Sequence, residues 1–207
     1  MAVQCPTLKN ILAEDACTEN YAGLASKVFL GLKSDLKAAL TLDDETATYS
    51  VPEMKEGKFL YMLECKEDNQ QIEGSSLGKR KGFALTFNAV LEAVDKKTAV
   101  VARALNNLDL FIIVPDGEDY QIMYDPTRKV TFENDGIKTD TGKAASDDRQ
   151  VTMAAKLSPV KYPNLFVTAP EGGFESMLDT TTTQKVSDEK VSDETETTKG
   201  ENDSYGA

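Results

Sequence analysis

The chain has 207 residues with 35 acidic and 23 basic side chains, a formal charge of −12, and neither histidine nor tryptophan. That balance argues against a general nucleic-acid binder, which needs a basic face to displace counterions, and the missing histidine removes the commonest general base and the commonest metal ligand. Cys5, Cys17 and Cys65 form no CxxC pair and MAVQCPTLKN is no signal peptide, so the chain reads as a soluble cytosolic product without zinc knuckle, disulfide framework or membrane span.

In chain order, TLKNILAEDAC (7–17) suggests a short helix and SKVFLGLKSDL (26–36) a strand. KFLYMLECK (58–66) alternates, with Phe59, Tyr61, Leu63 and Cys65 on one side. Phe83, Leu85, Phe87, Ala89, Leu91 and Ala93 alternate with Ala84, Thr86, Asn88, Val90, Glu92 and Val94, the pattern of a long half-buried strand. These two strands are expected to form one hairpin, with QIEGSSLGKRKGF (71–83) as its loop. In DKKTAVVARALNNLD, Val101, Ala104, Leu105 and Leu108 fall at i, i+3, i+4 and i+7, the stripe of an amphipathic helix of about three turns. The continuous apolar run LFIIVP, a turn at Asp116–Gly117 and alternation over Tyr120–Tyr124 predict a second hairpin. Further strands are expected at Lys129–Glu133, Gln150–Leu157 and Asn164–Thr168, with NDGIKTDTGKAASDD (134–148) as a long polar loop between the first two. Phe83, Phe87, Phe111, Tyr120, Tyr124, Phe132 and Phe166 fall on strand positions and read as core rather than as a stacking platform for bases.

The sum is a mainly β domain over residues 1–178, a β-sandwich of two packed sheets or a partly closed barrel, with one flanking α-helix. Residues 179–207 differ in kind: TTTTQ is followed by KVSDE in tandem, with almost no apolar side chain. Such a segment cannot bury enough surface to offset its ordering entropy, so a disordered acidic tail is expected. Half of the net charge falls in residues 175–207.

The stretch QIEGSSLGKRKGF resembles a phosphate-binding loop, but the resemblance fails on spacing. A Walker A loop has four residues between its glycines and a Ser or Thr after the Lys for Mg²⁺. Gly74 and Gly78 enclose only three residues, and Lys79 is followed by Arg80. Paired acids occur at Glu14–Asp15, Asp43–Asp44 and Asp147–Asp148, but nothing in the sequence brings two pairs together across a cleft. Asn134–Asp135–Gly136 continues into Lys138 and Lys143, whose charges oppose a calcium loop. A thiol nucleophile lacks a histidine partner, and a dyad of Ser75 or Ser76 with Lys79 needs a desolvated lysine, whereas Lys79 sits among Arg80 and Lys81 in a polar loop. No enzyme, cofactor or metal site is expected.

SLGKRKGFALTFNA (76–89), ARALNNLDLFIIVPDG (102–117) and IKTDTGKAASDDRQVTMAAKLSP (137–159) resemble, in texture and order, the tail tube or major tail proteins of bacteriophages, particularly versions from phages of gut Bacteroides-like hosts. The likeness covers about residues 20–170. It implies a structural virion protein, made in the host cytoplasm, whose sandwich subunits join sheets into hexameric rings that stack as a DNA conduit. Its partners would be copies of itself, a tape measure protein and a tail terminator, with DNA passing an acidic lumen wall without specific binding. In that reading Lys79, Arg80 and Lys81 form a subunit-contact loop meeting acids on a neighbouring subunit or ring, and the loop 134–148 is a second contact. The alternatives are another phage sandwich protein, for tail completion or capsid decoration, and a small-ligand-binding β-barrel. The last needs a persistent interior cavity, whereas a tube subunit fills its interior and exposes strand edges.

Overall fold

The computed structural model describes residues 24–78, 82–92, 94–132, 136–144 and 147–179. The expected helix at 7–17 and the acidic tail from Thr180 onward lie outside the described residues. Among the described residues the fold is a mainly β sandwich of two sheets with a single α-helix. Its strands are β1 (Lys27–Leu32), β2 (Leu42–Asp43), β3 (Thr48–Tyr49), β4 (Tyr61–Glu64), β5 (Gln71–Ser76) and β6 (Phe83–Glu92). After helix α1 (Lys96–Asn107) come β7 (Leu110–Asp116), β8 (Asp119–Met123), β9 (Ile137–Asp140), β10 (Gln150–Val160) and β11 (Phe166–Val167). Seven strands make one sheet in the order β2-β3-β11-β8-β7-β1-β4, and four make the other in the order β5-β6-β10-β9.

The four-stranded sheet shows why alternation was readable. Leu85, Phe87, Ala89 and Leu91 of β6 lie opposite Leu157, Ala155, Met153 and Val151 of β10, and all eight are buried. Successive side chains of a strand point to opposite faces, so this one register sends these eight apolar groups inward together. The seven-stranded sheet is covered on both faces, which is why β1 and β7 read as unbroken apolar runs. On one face, Val28, Leu30 and Ile112 meet Phe87 and Met153 of the other sheet and Leu105 of α1. On the opposite face, Phe29 packs against Phe174, Phe174 against Tyr120, and Tyr124 edge-on against both Tyr49 and Phe111. Phe174 belongs to a 3-10 turn, Phe174–Met177, that closes this layer. Of the aromatic residues expected in the core, Phe87, Phe111 and Tyr124 are buried and Phe83, Tyr120, Phe132 and Phe166 half-buried.

Helix α1 begins at a reciprocal capping box: Asp95 Oδ1 accepts from the Thr98 N–H at 2.7 Å, and the Asp95 N–H donates to Thr98 Oγ1 at 2.9 Å. Of its expected stripe only Leu105 is buried. Leu108, placed by spacing on the same face, is exposed because the helix stops at Asn107 and Leu108 takes extended backbone as the C-cap.

Several sequence expectations are corrected. The hairpin partner of β6 is β5, not residues 58–66: β4 pairs with β1 in the other sheet, and Phe59 and Tyr61 are exposed. Half of the expected loop 71–83 is therefore strand. The polar loop 134–148 contains β9, a four-residue edge strand paired to β10. The strand expected at Lys129–Glu133 is a single bridge from Thr131 to Lys156, and that at Asn164–Thr168 shortens to the two residues of β11. Among the described residues, no helix is long and apolar enough to cross a membrane.

Candidate functional site

The basic residues singled out by sequence, Lys79, Arg80 and Lys81, lie outside the described residues, but their flanks are placed. Leu77 N–H donates to the Gly82 carbonyl at 3.0 Å, closing the β5–β6 hairpin on either side of the triplet. Gly78 has φ +61° with open space around it, a turn glycine in the left-handed region. Gly74 differs. It sits inside β5 opposite Leu85, and a Cβ there would lie 2.0 Å from the Pro163 carbonyl oxygen. Its role is to let the chain at Pro163 cross the inner face of the sheet, which settles the phosphate-loop question against a loop at that glycine.

The acid pairs within the described residues have local work. Lys161 Nζ lies 2.5 Å from Asp44 Oδ2 and Tyr162 donates to the same carboxylate at 3.2 Å. The Lys161 hydrogen bond, chiefly, holds the Asp44 carboxyl below its ordinary range. Asp147 accepts from the N–H groups of Ala144 and Lys143 at 2.8 Å each, which depresses it as well. Asp148 bonds Lys66 Nζ at 2.8 Å and raises that ammonium. Asp43 accepts from the Glu45 N–H and the Thr46 hydroxyl. Glu14 and Asp15 lie outside the described residues, as do Cys5 and Cys17. Cys65 is buried, and burial pushes its thiol up to about 11, the opposite of an activated nucleophile. Among the described residues, no three acids or cysteines gather as a metal site.

Between the sheets the packing is tight. The void bounded by Val28, Leu30, Phe87, Leu105, Ile112 and Met153 amounts to about 10 Å³, roughly the smallest space that holds one water. A larger hollow of about 640 Å³, lined by Ser26, Glu64, Cys65, Lys66, Glu67 and Glu92, is an open surface groove.

What the fold leaves open is its strand edges. Both edges of the four-stranded sheet, β5 and β9, are exposed and polar, and β4 ends the seven-stranded sheet. The sheet's two hairpins leave it at opposite ends: the β5–β6 tip beside Ser76 and Phe83, the β9–β10 connection beside Asp140 and Gln150, across from Glu92. The residues flanking the basic triplet and the acids Asp140, Asp147 and Asp148 therefore sit at opposite poles of one sheet. Sequence reasoning found both loops but not their polarity, because it paired β6 with the wrong strand.

Comparison of the chain with protein-family models, with curated proteins and with solved structures finds no match.

Proposed function

We propose that this chain is a structural subunit of a phage tail tube, a non-catalytic protein that joins copies of itself edge to edge and stacks the resulting rings. The observation that carries the reading is the four-stranded sheet with two open, polar edges, β5 and β9. Pairing β5 of one copy with β9 of the next is a head-to-tail contact, and such contacts close into a ring when the rotation per copy fits. The pairing also removes the exposed edges that would otherwise invite uncontrolled aggregation.

The two poles then supply the stacking contact. Rings set one above another bring the Lys79–Lys81 tip of one to the Asp140, Asp147 and Asp148 end of the next, a charge-complementary register. The sheet face turned away from the core carries Ser75, Thr86, Asn88 and Thr152, with Glu73, Glu92 and Asp140 against Lys138 and Lys156. This wall is more neutral than the acidic lumen expected from the resemblance, but it has no basic stripe to hold phosphates, so a duplex would pass it. The filled interior favours this role over a small-ligand barrel.

Negative-stain electron microscopy of the purified chain, with light scattering over a concentration series, tests the reading. Hollow filaments or six-membered rings are the expected result. A monomer that persists at all concentrations, or a single ring that never stacks, would favour a decoration or completion protein. Replacing Lys79, Arg80 and Lys81 together by Glu is expected to leave rings but shorten or abolish tubes. Tubes of normal length and stability in that variant would remove the stacking contact.

A further inference from the structure

The outer edge of β4 is open along a defined length. Cys65 N–H donates to the Ser26 carbonyl of the strand's inner neighbour at 2.8 Å. Because backbone groups alternate along a strand, the N–H groups of Tyr61 and Leu63 also face β1, and those of Leu60, Met62, Glu64 and Lys66 face outward. The two ends of this outer row are occupied. Lys66 N–H donates to the Val90 carbonyl of β6 at 2.7 Å, and Leu60 N–H to the Met177 carbonyl at 3.0 Å. Between them, no strand among the described residues pairs with β4 on that side. The side chains there are apolar and in water: Tyr61 is 58% exposed, Phe59 and Met62 42% each. An edge of this kind is a pairing template.

The Leu60 contact is a parallel bridge to Leu178, so the chain leaving the fold already runs along this edge in the direction of β4. Continuing the same register sets residue 180 opposite Met62, 182 opposite Glu64 and 183 opposite Cys65, and the next position is closed because β6 holds Lys66. The residues that follow Asp179 are Thr180, Thr181, Thr182 and Thr183, four β-branched side chains suited to a pleated surface. The open edge and the threonine run have the same length and coincide in register. We propose that the outer edge of β4 is the docking site of the chain's own Thr180–Thr183, added as a parallel strand that covers Tyr61 and Met62 and seals the seven-stranded sheet. The polar KVSDE repeats begin at Lys185, just past the last position the edge can take. The inference does not depend on the assembly reading, which uses the edges of the other sheet.

Residue-resolved amide hydrogen exchange tests it on the whole protein, a chain ending at Gln184, a chain ending at Asp179, and three whole-length variants each carrying a single proline. In the parallel ladder the N–H groups of Thr181 and Thr183 face β4 and that of Thr182 faces away. The Glu64 amide is expected to exchange at least about tenfold more slowly in the whole protein and in the chain ending at Gln184 than in the chain ending at Asp179. Thr181→Pro and Thr183→Pro should abolish that difference while Thr182→Pro keeps it, with the amides of β7 protected throughout as the control for folding. Equal Glu64 exchange in all chains would overturn the proposal. Protection that persists in the chain ending at Asp179 and grows with protein concentration would overturn it in favour of a second copy on this edge.

Discussion

A single methyl group added at Gly74 would lie 2.0 Å from a backbone carbonyl oxygen, that of Pro163, and β5 cannot retreat without giving up its pairing with β6. Gly74→Ala is therefore expected to cost about 1–3 kcal/mol, the range for overpacking a filled site. Gly78→Ala meets open space and bears only the left-handed backbone penalty, about 1 kcal/mol. Urea denaturation of the two variants checks the order, and a Gly74→Ala protein as stable as the parent would show that the close approach is not obligatory. The same motif thus contains two glycines with unrelated roles, one for proximity and one for a turn, which spacing alone does not separate. Cys65 is comparable: its burial against Gln70, not its chemistry, accounts for its place in the strand end.

At the scale of elements, α1 has one titratable anchor. The Thr98 backbone and hydroxyl hydrogen bonds hold the Asp95 carboxyl below its ordinary 3.8, so the folded state binds this proton less readily than the unfolded chain. The stabilisation is present above the ordinary value and lost as pH falls through the depressed one. Asp95→Asn keeps a capping oxygen that cannot titrate. The stability difference between parent and Asp95→Asn is expected to shrink as pH drops below about 3.8, read from urea midpoints across pH; a difference constant over pH 2–6 would remove Asp95 from the acid response. The elements themselves were legible to different degrees. The strands β6, β7, β8 and β10 announce themselves because burial on one or both faces imposes period two or a continuous run. The edge strands β5 and β9 do not, since most of their own side chains are polar and exposed, and Gly74, Ser75 and Ser76 imitate a loop. Pairing β6 with residues 58–66 followed from sequence proximity, which says nothing about which sheet a strand joins. The loop Lys79–Lys81 was legible as a charge cluster, whereas the β4 edge was not, because neither the β1–β4 pairing that leaves it at the sheet's end nor the parallel bridge between Leu60 and Leu178 can be read from sequence spacing.

At the scale of the molecule, one core spans both sheets, and its last large member in the chain is Phe174, fully buried between Phe29 and Tyr120. Phe174→Ala is expected to cost about 3–5 kcal/mol by leaving a cavity against β1. The loss should show as a lower urea midpoint with unchanged secondary structure; a change under 1 kcal/mol would mean that the C-terminal turn is an ornament of the fold. Other pairings are also distant in sequence: Phe166 beside Thr48, Leu30 beside Ile112, Leu60 beside Leu178. Such a topology has high contact order and folds slowly, because each ladder must close a long loop before it is rewarded. During synthesis β2 can pair with β3 and β1 with β4 early, but β6 lacks its central partner until β10 (Gln150–Val160) has emerged. A growing polypeptide of this design cannot present the finished β9 edge before β10 has emerged, so under the proposed tube role polymerisation would be deferred until translation of each subunit is almost complete.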